Sequence, residues 1–331
     1  MLDERKASIL TAVVQEYIET AQPVGSSAIA RVLEVPASPA TVRNDMATLE
    51  SEGYLDQPHT SAGRIPTEKG YRFFVDRVGQ TKLASPETRR VSDFFHSVKG
   101  EIEQLMAQTA GLLSNLTEHA AVVVDRSVEA ATVRSVTLVE LGPHIILVVV
   151  VLSTGVIDKH TVTVTADLDE VDLDRIRTVM AVSLVGQTLD RPGGMPLLGD
   201  ERLDAAAAEI VDQINHDSPH LERVYVDGRS HVAASFDALD SVRSVLTILE
   251  QQLLVVSLLG DVVDRGMTVA IGAETGVEPL AGCSVVVSPF RVDGEHAGSI
   301  AVLGPTRMNY PQAMAAVEVV GRQLGRRLSE G

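Results

Sequence analysis

Cysteine is nearly absent from this sequence, and tryptophan is missing altogether. The single cysteine, Cys283, excludes an internal disulfide and a zinc site built from several thiolates. It opens an apolar strand pattern, so we expect a buried small hydrophobe. The longest apolar run, residues 145–152, falls well short of the roughly 20 residues that a membrane-spanning helix needs. Because the N terminus also lacks an apolar signal-peptide core, the sequence predicts a cytoplasmic protein without membrane contact.

Signatures of catalysis and cofactor binding are also missing. No G-x-S-x-G, Walker or H-E-x-x-H motif occurs. His216 and His220 are four residues apart, but Ser218 and Pro219 stand between them, which favours a solvated loop over a metal site. The acidic run at 167–174 is typical of charges at a helix start on a solvated face. We therefore expect no cofactor, no metal and no enzymatic activity.

Positive charge is scarce as well. The chain has 28 Lys and Arg against 45 Asp and Glu, a net charge of −17, which argues against a general polyanion binder. Residues 1–80 carry 8 basic and 11 acidic residues, so the N terminus is less acidic than the remainder but not basic. Any DNA binding must therefore depend on where individual side chains lie.

The first 80 residues show the pattern of a small helical domain. Apolar residues have helical spacing in 4–20 and again in 26–34. A third helix is predicted from Ser38, a good N-cap, and Pro39, which suits the first helical position, to about Glu52. The helix buries Val42, Met46 and Leu49 on one side.

The opposite side of that helix is small and polar, and its side chains suit base edges and thymine methyl groups. The alternative is an ordinary solvated helix face, since helix-turn-helix look-alikes are common. The candidate DNA-contacting residues on this helix are Ser38, Ala40, Thr41, Arg43, Asn44 and Thr48.

A hairpin is predicted after the third helix. The stretch "PHTSAGRIPTEKGYRFFVD", residues 58–76, has a turn followed by a return strand and a fourth helix capped by Thr67. Three helices and a hairpin predict a winged helix. Glycine lets backbone approach a phosphate and arginine can enter a minor groove, so the wing adds further candidate contacts. These are His59, Thr60, Ser61, Gly63 and Arg64.

Two segments resemble a known family. Residues 38–76, "SPATVRNDMATLESEGYLDQPHTSAGRIPTEKGYRFFVD", are similar to the N-terminal signature of the HrcA family of heat-inducible transcription repressors. Residues 298–317, "GSIAVLGPTRMNYPQAMAAV", resemble the end of that family's GAF-like domain. The resemblance implies a winged-helix repressor of chaperone operons. Such a repressor binds an inverted-repeat operator in double-stranded DNA, and its activity is tuned by the GroEL chaperonin.

The sequence as a whole predicts a multidomain α+β protein. A winged helix-turn-helix occupies 1–80, a GAF-like domain with an antiparallel sheet occupies 86–165 and 263–331, and an inserted, mainly helical dimerisation domain occupies 166–262. A heptad seam from Val91 to Leu116 predicts one long helix packed on a partner helix or along a sheet.

A homodimer is expected, with the apolar helix predicted at 237–260 as the candidate seam, since a helix that is apolar nearly all round needs burial on several sides. Two other functions remain open. One is a winged-helix regulator that senses a small molecule in its GAF-like domain. The other is a nucleotide-signalling enzyme, which would need metal ligands that the sequence does not show.

Overall fold

The computed structural model describes residues 2–33, 36–59, 63–79, 82–98, 100–125, 132–153, 157–188, 194–217, 223–236 and 239–330. The chain folds into two compact units. The first consists of Met1–Val123, Val224–Glu295 and Ser299–Gly331, and the second of Val124–Arg223 and His296–Gly298.

The N-terminal part of the first unit is a winged helix, as predicted. Its elements are α1 (Glu4–Thr20), α2 (Ser26–Val32), α3 (Pro39–Ser51), β1 (Leu55–Asp56), β2 (Ile65–Pro66) and α4 (Glu68–Val78). β1 and β2 pair antiparallel, and an isolated antiparallel bridge joins Val24 to Arg64 beside them. The hairpin is therefore anchored to the segment between α1 and α2.

Helix caps and apolar spacing explain these elements. The side chains of Asp3, Ser38 and Thr67 each accept a hydrogen bond from a backbone N–H in the first turn of α1, α3 and α4. The core of the domain is formed by fully buried apolar side chains on α1, α2, α3 and α4, namely Ile9, Leu10, Val13, Val14, Ile29, Val42, Met46, Leu49 and Phe74. The predicted inward residues of α3 are thus confirmed.

The heptad seam runs along two helices instead of one. α5 (Ser85–Ser97) ends where Val98 turns extended, and α6 (Ile102–Thr117) starts anew after Glu101. Gly100 between them has φ +141°, a conformation that glycine adopts more readily than other residues. The expectation of one long helix is therefore wrong, because the periodicity of buried residues continues across a break in the backbone.

A five-stranded sheet forms the centre of the rest of the first unit. The strands are β3 (Ala120–Asp125), β7 (Arg223–Asp227), β8 (Val269–Ile271), β9 (Cys283–Val292) and β10 (Glu295–Pro305), in the order β7-β3-β10-β9-β8. β8 and β9 pair antiparallel. The accompanying helices are α9 (Arg229–Ser235), α10 (Leu239–Glu250), α11 (Gln252–Asp264) and α12 (Tyr310–Glu330), of which α12 packs on β9.

The second unit is a three-stranded antiparallel sheet backed by two helices. β4 (Val133–Gly142), β5 (Ile145–Leu152) and β6 (Ile157–Thr163) are in chain order, and the helices are α7 (Glu170–Leu184) and α8 (Glu201–Asp217). One face of the sheet shares a buried core with both helices, including Val148, Val150, Ile176, Met180 and Ile210.

This division differs from the predicted insertion at 166–262. The strands at 133–163 share their core with α7 and α8, so they belong with the second unit rather than with the five-stranded sheet. Residues 239–264 belong to the first unit, and the helix predicted at 237–260 is the pair α10 and α11, bent by 96°. The α+β, multidomain class with its winged helix is confirmed.

Candidate nucleic-acid interface

Helix α3 presents the face that the sequence predicted for DNA. Ala40, Arg43 and Asn44 are exposed, while Thr41 and Thr48 are half-buried at its edges. The opposite side is anchored by Val42, Met46 and Leu49, none more than 2% exposed. Because both sides are fixed by one helical register, the polar face must point away from the core.

The hydroxyl groups on this helix already have partners. Ser38 Oγ accepts from the Thr41 backbone N at 3.1 Å and lies 2.9 Å from Thr41 Oγ1, while Thr48 Oγ1 donates to Asn44 O at 3.1 Å. These contacts stabilise the helix. By contrast, the side chains of Arg43 and Asn44 make no hydrogen bond within the described ranges, so both remain available to a partner.

The two carboxylates of α3 are paired with arginines from other elements. Asp45 is only 6% exposed and accepts two hydrogen bonds from Arg5 of α1, from Nε at 2.8 Å and from Nη2 at 3.2 Å. Glu50 accepts from Arg64 Nε at 2.9 Å and lies 2.7 Å from its Nη2. α3 therefore brings no unpaired acid to a phosphate backbone. Sequence reasoning missed Asp45, because its partner lies 40 residues away.

Gly63 and Arg64 lie at the base of the wing. Arg64 exchanges two backbone hydrogen bonds with Val24, at 2.8 and 2.9 Å. A Cβ at Gly63 would overlap the Val24 carbonyl, so the close backbone approach requires glycine here. With its side chain 17% exposed and bound to Glu50, Arg64 has a structural role. Its contact with DNA stays a prediction.

Of the three other predicted wing residues, the structure describes only His59. His59 is exposed and follows β1. Thr60 and Ser61 lie outside the described residues.

Aromatic side chains hold the wing against the helices. Tyr54 packs edge-on against Phe73, with ring centroids 5.9 Å apart. Lys69 Nζ lies 4.2 Å from the centre of the Tyr54 ring and donates to Glu52 O at 2.8 Å. Tyr71 and Phe74 are buried behind this contact. Of the aromatic cluster seen in the sequence, Phe73 thus packs at the root of the hairpin.

Other candidate chemistry is sparse in the part of the chain that the structure describes, where no group of three or more His, Cys, Asp or Glu side chains could hold a metal. The predicted loop at His216 and His220 lies outside it or has undescribed side chains. Cys283 is 1% exposed, as predicted, and burial raises the pKa of its thiol to about 12. A cavity of about 580 Å³ is lined mainly by polar groups, among them Glu87, His119 and Arg307.

Within the described ranges, no single helix has the length and apolar composition to cross a membrane; the bent pair Ser241–Glu250 and Gln252–Asp264 meets that test only when taken together.

Three helices, a two-stranded hairpin and an exposed polar face on the third helix define a winged-helix DNA-binding protein. Family profiles make the assignment specific. The profile described as "Winged helix-turn-helix transcription repressor, HrcA DNA-binding" matches residues 1–77, and "HrcA protein C terminal domain" matches residues 103–314. The chain belongs to the HrcA family of heat-inducible transcription repressors. The prediction that it is not an enzyme agrees with this family.

Relatives match along the whole chain. "Heat-inducible transcription repressor HrcA" of Nocardioides sp. is 38% identical, and the match covers 100% of both chains. The protein of the same description from Nocardia farcinica is 37% identical over 99% of this chain and 97% of the relative. A solved structure described as "Crystal structure of a hypothetical protein at 2.2 A resolution" has a TM-score of 0.63 at 24% identity and covers 99% of this chain and 98% of its own, which supports the fold.

Proposed function

We propose that this repressor binds an inverted-repeat operator of chaperone operons as a homodimer, in the cytoplasm, and that the GroEL chaperonin modulates its activity. The observation that carries the DNA-binding part is the exposed pair Arg43 and Asn44 on α3, whose side chains have no partner in the described part of the chain. Arginine suits guanine and asparagine suits adenine in the major groove.

Operator binding is tested by selecting the genomic DNA fragments that the purified protein binds. Purified protein is mixed with genomic fragments, and bound fragments are sequenced. An inverted repeat upstream of chaperone genes is the expected result. Fragments without a shared repeat would contradict the proposal.

The electrostatics of the winged helix support a dimer. Arg5, Lys6, Arg64 and Arg72 are each bound to a carboxylate of their own chain, so one winged helix has few cations left for phosphates. Two copies related by a two-fold axis would read both halves of an inverted repeat and add their base contacts.

The outer face of the β4-β5-β6 sheet is our candidate for the dimer seam. Its large exposed hydrophobic residues are Val139 at 42%, Leu141 at 57%, Ile145 at 40% and Ile157 at 50%, and exposed threonines and Lys159 lie beside them on the same face. The register places Val139 beside Leu147 and Val151 beside Ile157, so these side chains form one surface. A second copy of the chain could bury this surface, because in a two-fold symmetric dimer the same patch of both subunits is in contact.

The seam is tested by Ile145→Glu, with Leu197→Glu as control because Leu197 is 84% exposed. We expect Ile145→Glu to give monomers that lose operator affinity, and the control to stay dimeric. Leu253→Glu tests the sequence-based seam, since Leu253 is 57% exposed on α11. Monomers from Leu253→Glu alone would move the seam to α11.

Modulation by a chaperonin is supported by the same apolar surface. A monomer would expose it and become prone to aggregation, and a chaperonin binds such surfaces. Under heat stress other unfolded proteins would compete for the chaperonin, and repression would fall without an effector.

Operator binding is measured after dilution from denaturant, first alone, then with chaperonin and ATP, and then with excess unfolded competitor. We expect recovery to be highest in the second condition. Equal recovery in all three would contradict the role of GroEL.

A small-molecule regulator is the second candidate, favoured by the cavity of about 580 Å³ in the first unit. Its lining includes Arg90, Asn115, Arg307 and Gln312, which suit a small polar ligand. A metabolite that raises the melting temperature and changes operator affinity would support this function over the chaperonin.

A further inference from the structure

Helix α4, which follows the wing, is bound to the turn after β8. Arg72 Nε donates to Glu274 Oε1 at 2.9 Å, and Arg72 Nη2 donates to Glu274 Oε2 and to the Val269 carbonyl, the latter at 2.8 Å. Glu274 also accepts from the Ile271 backbone N at 2.9 Å. The carboxylate therefore joins a helix of the winged helix to the edge strand of the five-stranded sheet.

A second contact lies one turn earlier on α4. The Glu68 carboxylate accepts from the Ala273 backbone N at 3.3 and 3.4 Å. It fills the space beside Gly272, where a Cβ would overlap it. Gly272 has φ +53°, in the left-handed region that favours glycine. The turn is thus shaped to receive the side chain from α4.

An aromatic contact lies beside the contacts of Arg72 and Glu68 with the turn. Tyr71, between Glu68 and Arg72, packs against Tyr310 with ring centroids 5.9 Å apart, and each is at most 3% exposed. The Tyr310 hydroxyl lies 2.7 Å from Ser284 Oγ and donates to Thr306 O at 2.6 Å. Tyr71 therefore rests on a side chain that is itself held in place.

The Glu274 carboxylate is stabilised in its charged form at this junction, and Arg72 also pairs with Asp76 of its own helix. Burial raises the pKa of Glu274, but hydrogen bonds from Arg72 and from the Ile271 N–H outweigh burial and hold the pKa below its usual value. The carboxylate is ionised at neutral pH, and charge-assisted bonds of this kind are the stronger class of hydrogen bond.

We infer that Arg72, Glu274 and Glu68 form a latch, named here for these three residues, that fixes the winged helix on the sheet and thereby sets the spacing of the two recognition helices on DNA. The inference rests on the proposed dimer and its inverted-repeat operator. Half-sites of an inverted repeat have a fixed separation, so a dimer binds both tightly only when its heads are held at that separation. Fixed heads avoid the ordering cost that loosely tethered heads incur on binding.

The latch is tested with Arg72→Ala on α4 and Glu274→Gln on the sheet side. The matched control is Arg322→Ala, which removes one positive charge from an exposed pair with Glu318 on α12. Binding is measured to the full operator, to a single half-site, and to operators whose spacer is changed by one or two base pairs. Melting temperature confirms folding.

For the parent and the control we expect strong preference for the full operator and for its spacing. Both latch variants should bind the full operator about tenfold more weakly and lose most of the spacing preference. Their half-site affinity should stay within about twofold, because α3 is unchanged. A tenfold effect corresponds to about 1.4 kcal/mol.

Three results separate the possibilities. A parent that prefers the full operator, with latch variants that keep its affinity and spacing preference, overturns the latch. Equal losses on half-site and full operator also overturn it, because they mean that Arg72 acts on the head itself. A parent that binds a half-site as well as the full operator contradicts the proposed dimeric recognition instead.

Discussion

Helix α3 and the wing each carry an arginine that the sequence predicts for DNA, and the two arginines have different surroundings in the fold. Arg43 on α3 is exposed and has no partner within the described ranges, whereas Arg64 at the base of the wing is 17% exposed and bound to Glu50. A residue on the DNA-facing side is therefore not by itself a residue available to DNA. What distinguishes the two arginines is whether a carboxylate of the same chain lies within reach.

The acidic residues of α3 are paired with arginines, whereas Arg43 on the same helix is not paired with any carboxylate that the structure describes. Asp45 and Glu50 are both paired with arginine, so α3 carries no unpaired carboxylate although the chain has a net charge of −17. The cost is that these arginines are less available to phosphates. We therefore expect binding to depend more on base contacts than on bulk electrostatic attraction.

Substitutions on the exposed face of α3 should cause the largest loss of operator affinity. Asn44→Ala and Arg43→Ala should each cost about 1–3 kcal/mol of operator affinity and relax the base preference at one position per half-site. The reason is loss of a side chain that suits a base edge, with no internal contact broken. Titration of operator and scrambled DNA measures it.

The control for these variants is Arg322→Ala, which removes a cation distant in sequence from α3. Melting temperatures should match the parent. If Asn44→Ala and Arg43→Ala bind operator like the parent, α3 is not the recognition helix.

A smaller loss of affinity is expected for the substitution Arg64→Ala at the base of the wing. The sequence-based prediction that Arg64 contacts DNA implies that Arg64→Ala weakens binding across sequences and reduces the slope of log affinity against log salt by about 1. The substitution should also lower stability by about 0.5–1 kcal/mol, because Glu50 loses its partner.

Glu50→Gln separates the two roles of Arg64. It weakens the pair but keeps the arginine, so stability should fall while the salt slope stays at the parent value. A parental slope for Arg64→Ala would contradict a DNA contact and leave Arg64 with a structural role alone.

A separate effect concerns the pH dependence of stability and the buried ring of His119, which lies outside the DNA interface. Among the described residues His119 Nδ1 has no hydrogen-bond partner, and burial, with the nearby charges of His231 and Arg307, lowers the His119 pKa from 6.5 to about 4. The unfolded chain therefore binds this proton first, and stability falls as pH drops from about 6.5 to about 4. His119→Asn should flatten this part of the stability profile by roughly 3 kcal/mol.

The same profile for His144→Asn is the control, because His144 is exposed in a turn. Denaturant unfolding between pH 7 and pH 4 gives the comparison. A parental profile for His119→Asn would mean that another group causes the pH dependence.

The last prediction is that the Cys283 thiol does not react in the native protein. Cys283 is buried and the pKa of its thiol is raised to about 12, so little thiolate forms at neutral pH. A thiol reagent should leave native protein unlabelled and label denatured protein once. Rapid labelling of native protein would contradict the described burial.

Local signals predicted the winged helix well. Ser38 and Pro39 marked the start of α3, and spacing identified Val42, Met46 and Leu49 as buried. These features depend on residues close in sequence, where capping and helical periodicity decide the structure.

Tertiary partners could not be predicted in the same way. The bonds between Arg5 and Asp45 and between Arg72 and Glu274 join residues far apart in sequence, so no local pattern marks them. The strands at 133–163 have the same alternation whichever helices cover them, and only the shared core assigned them to the second unit. The break between α10 and α11 falls at Gln251, with neither glycine nor proline to mark it.

The most direct test of the account is a base-preference profile measured for the parent and for Asn44→Ala over a library of DNA sites. If α3 reads DNA in a dimer, the parent selects an inverted repeat. Asn44→Ala should lose preference at one position in each half, symmetrically, and keep it elsewhere. A profile unchanged by Asn44→Ala, or a parent profile without a repeat, would contradict recognition by α3 in a dimer.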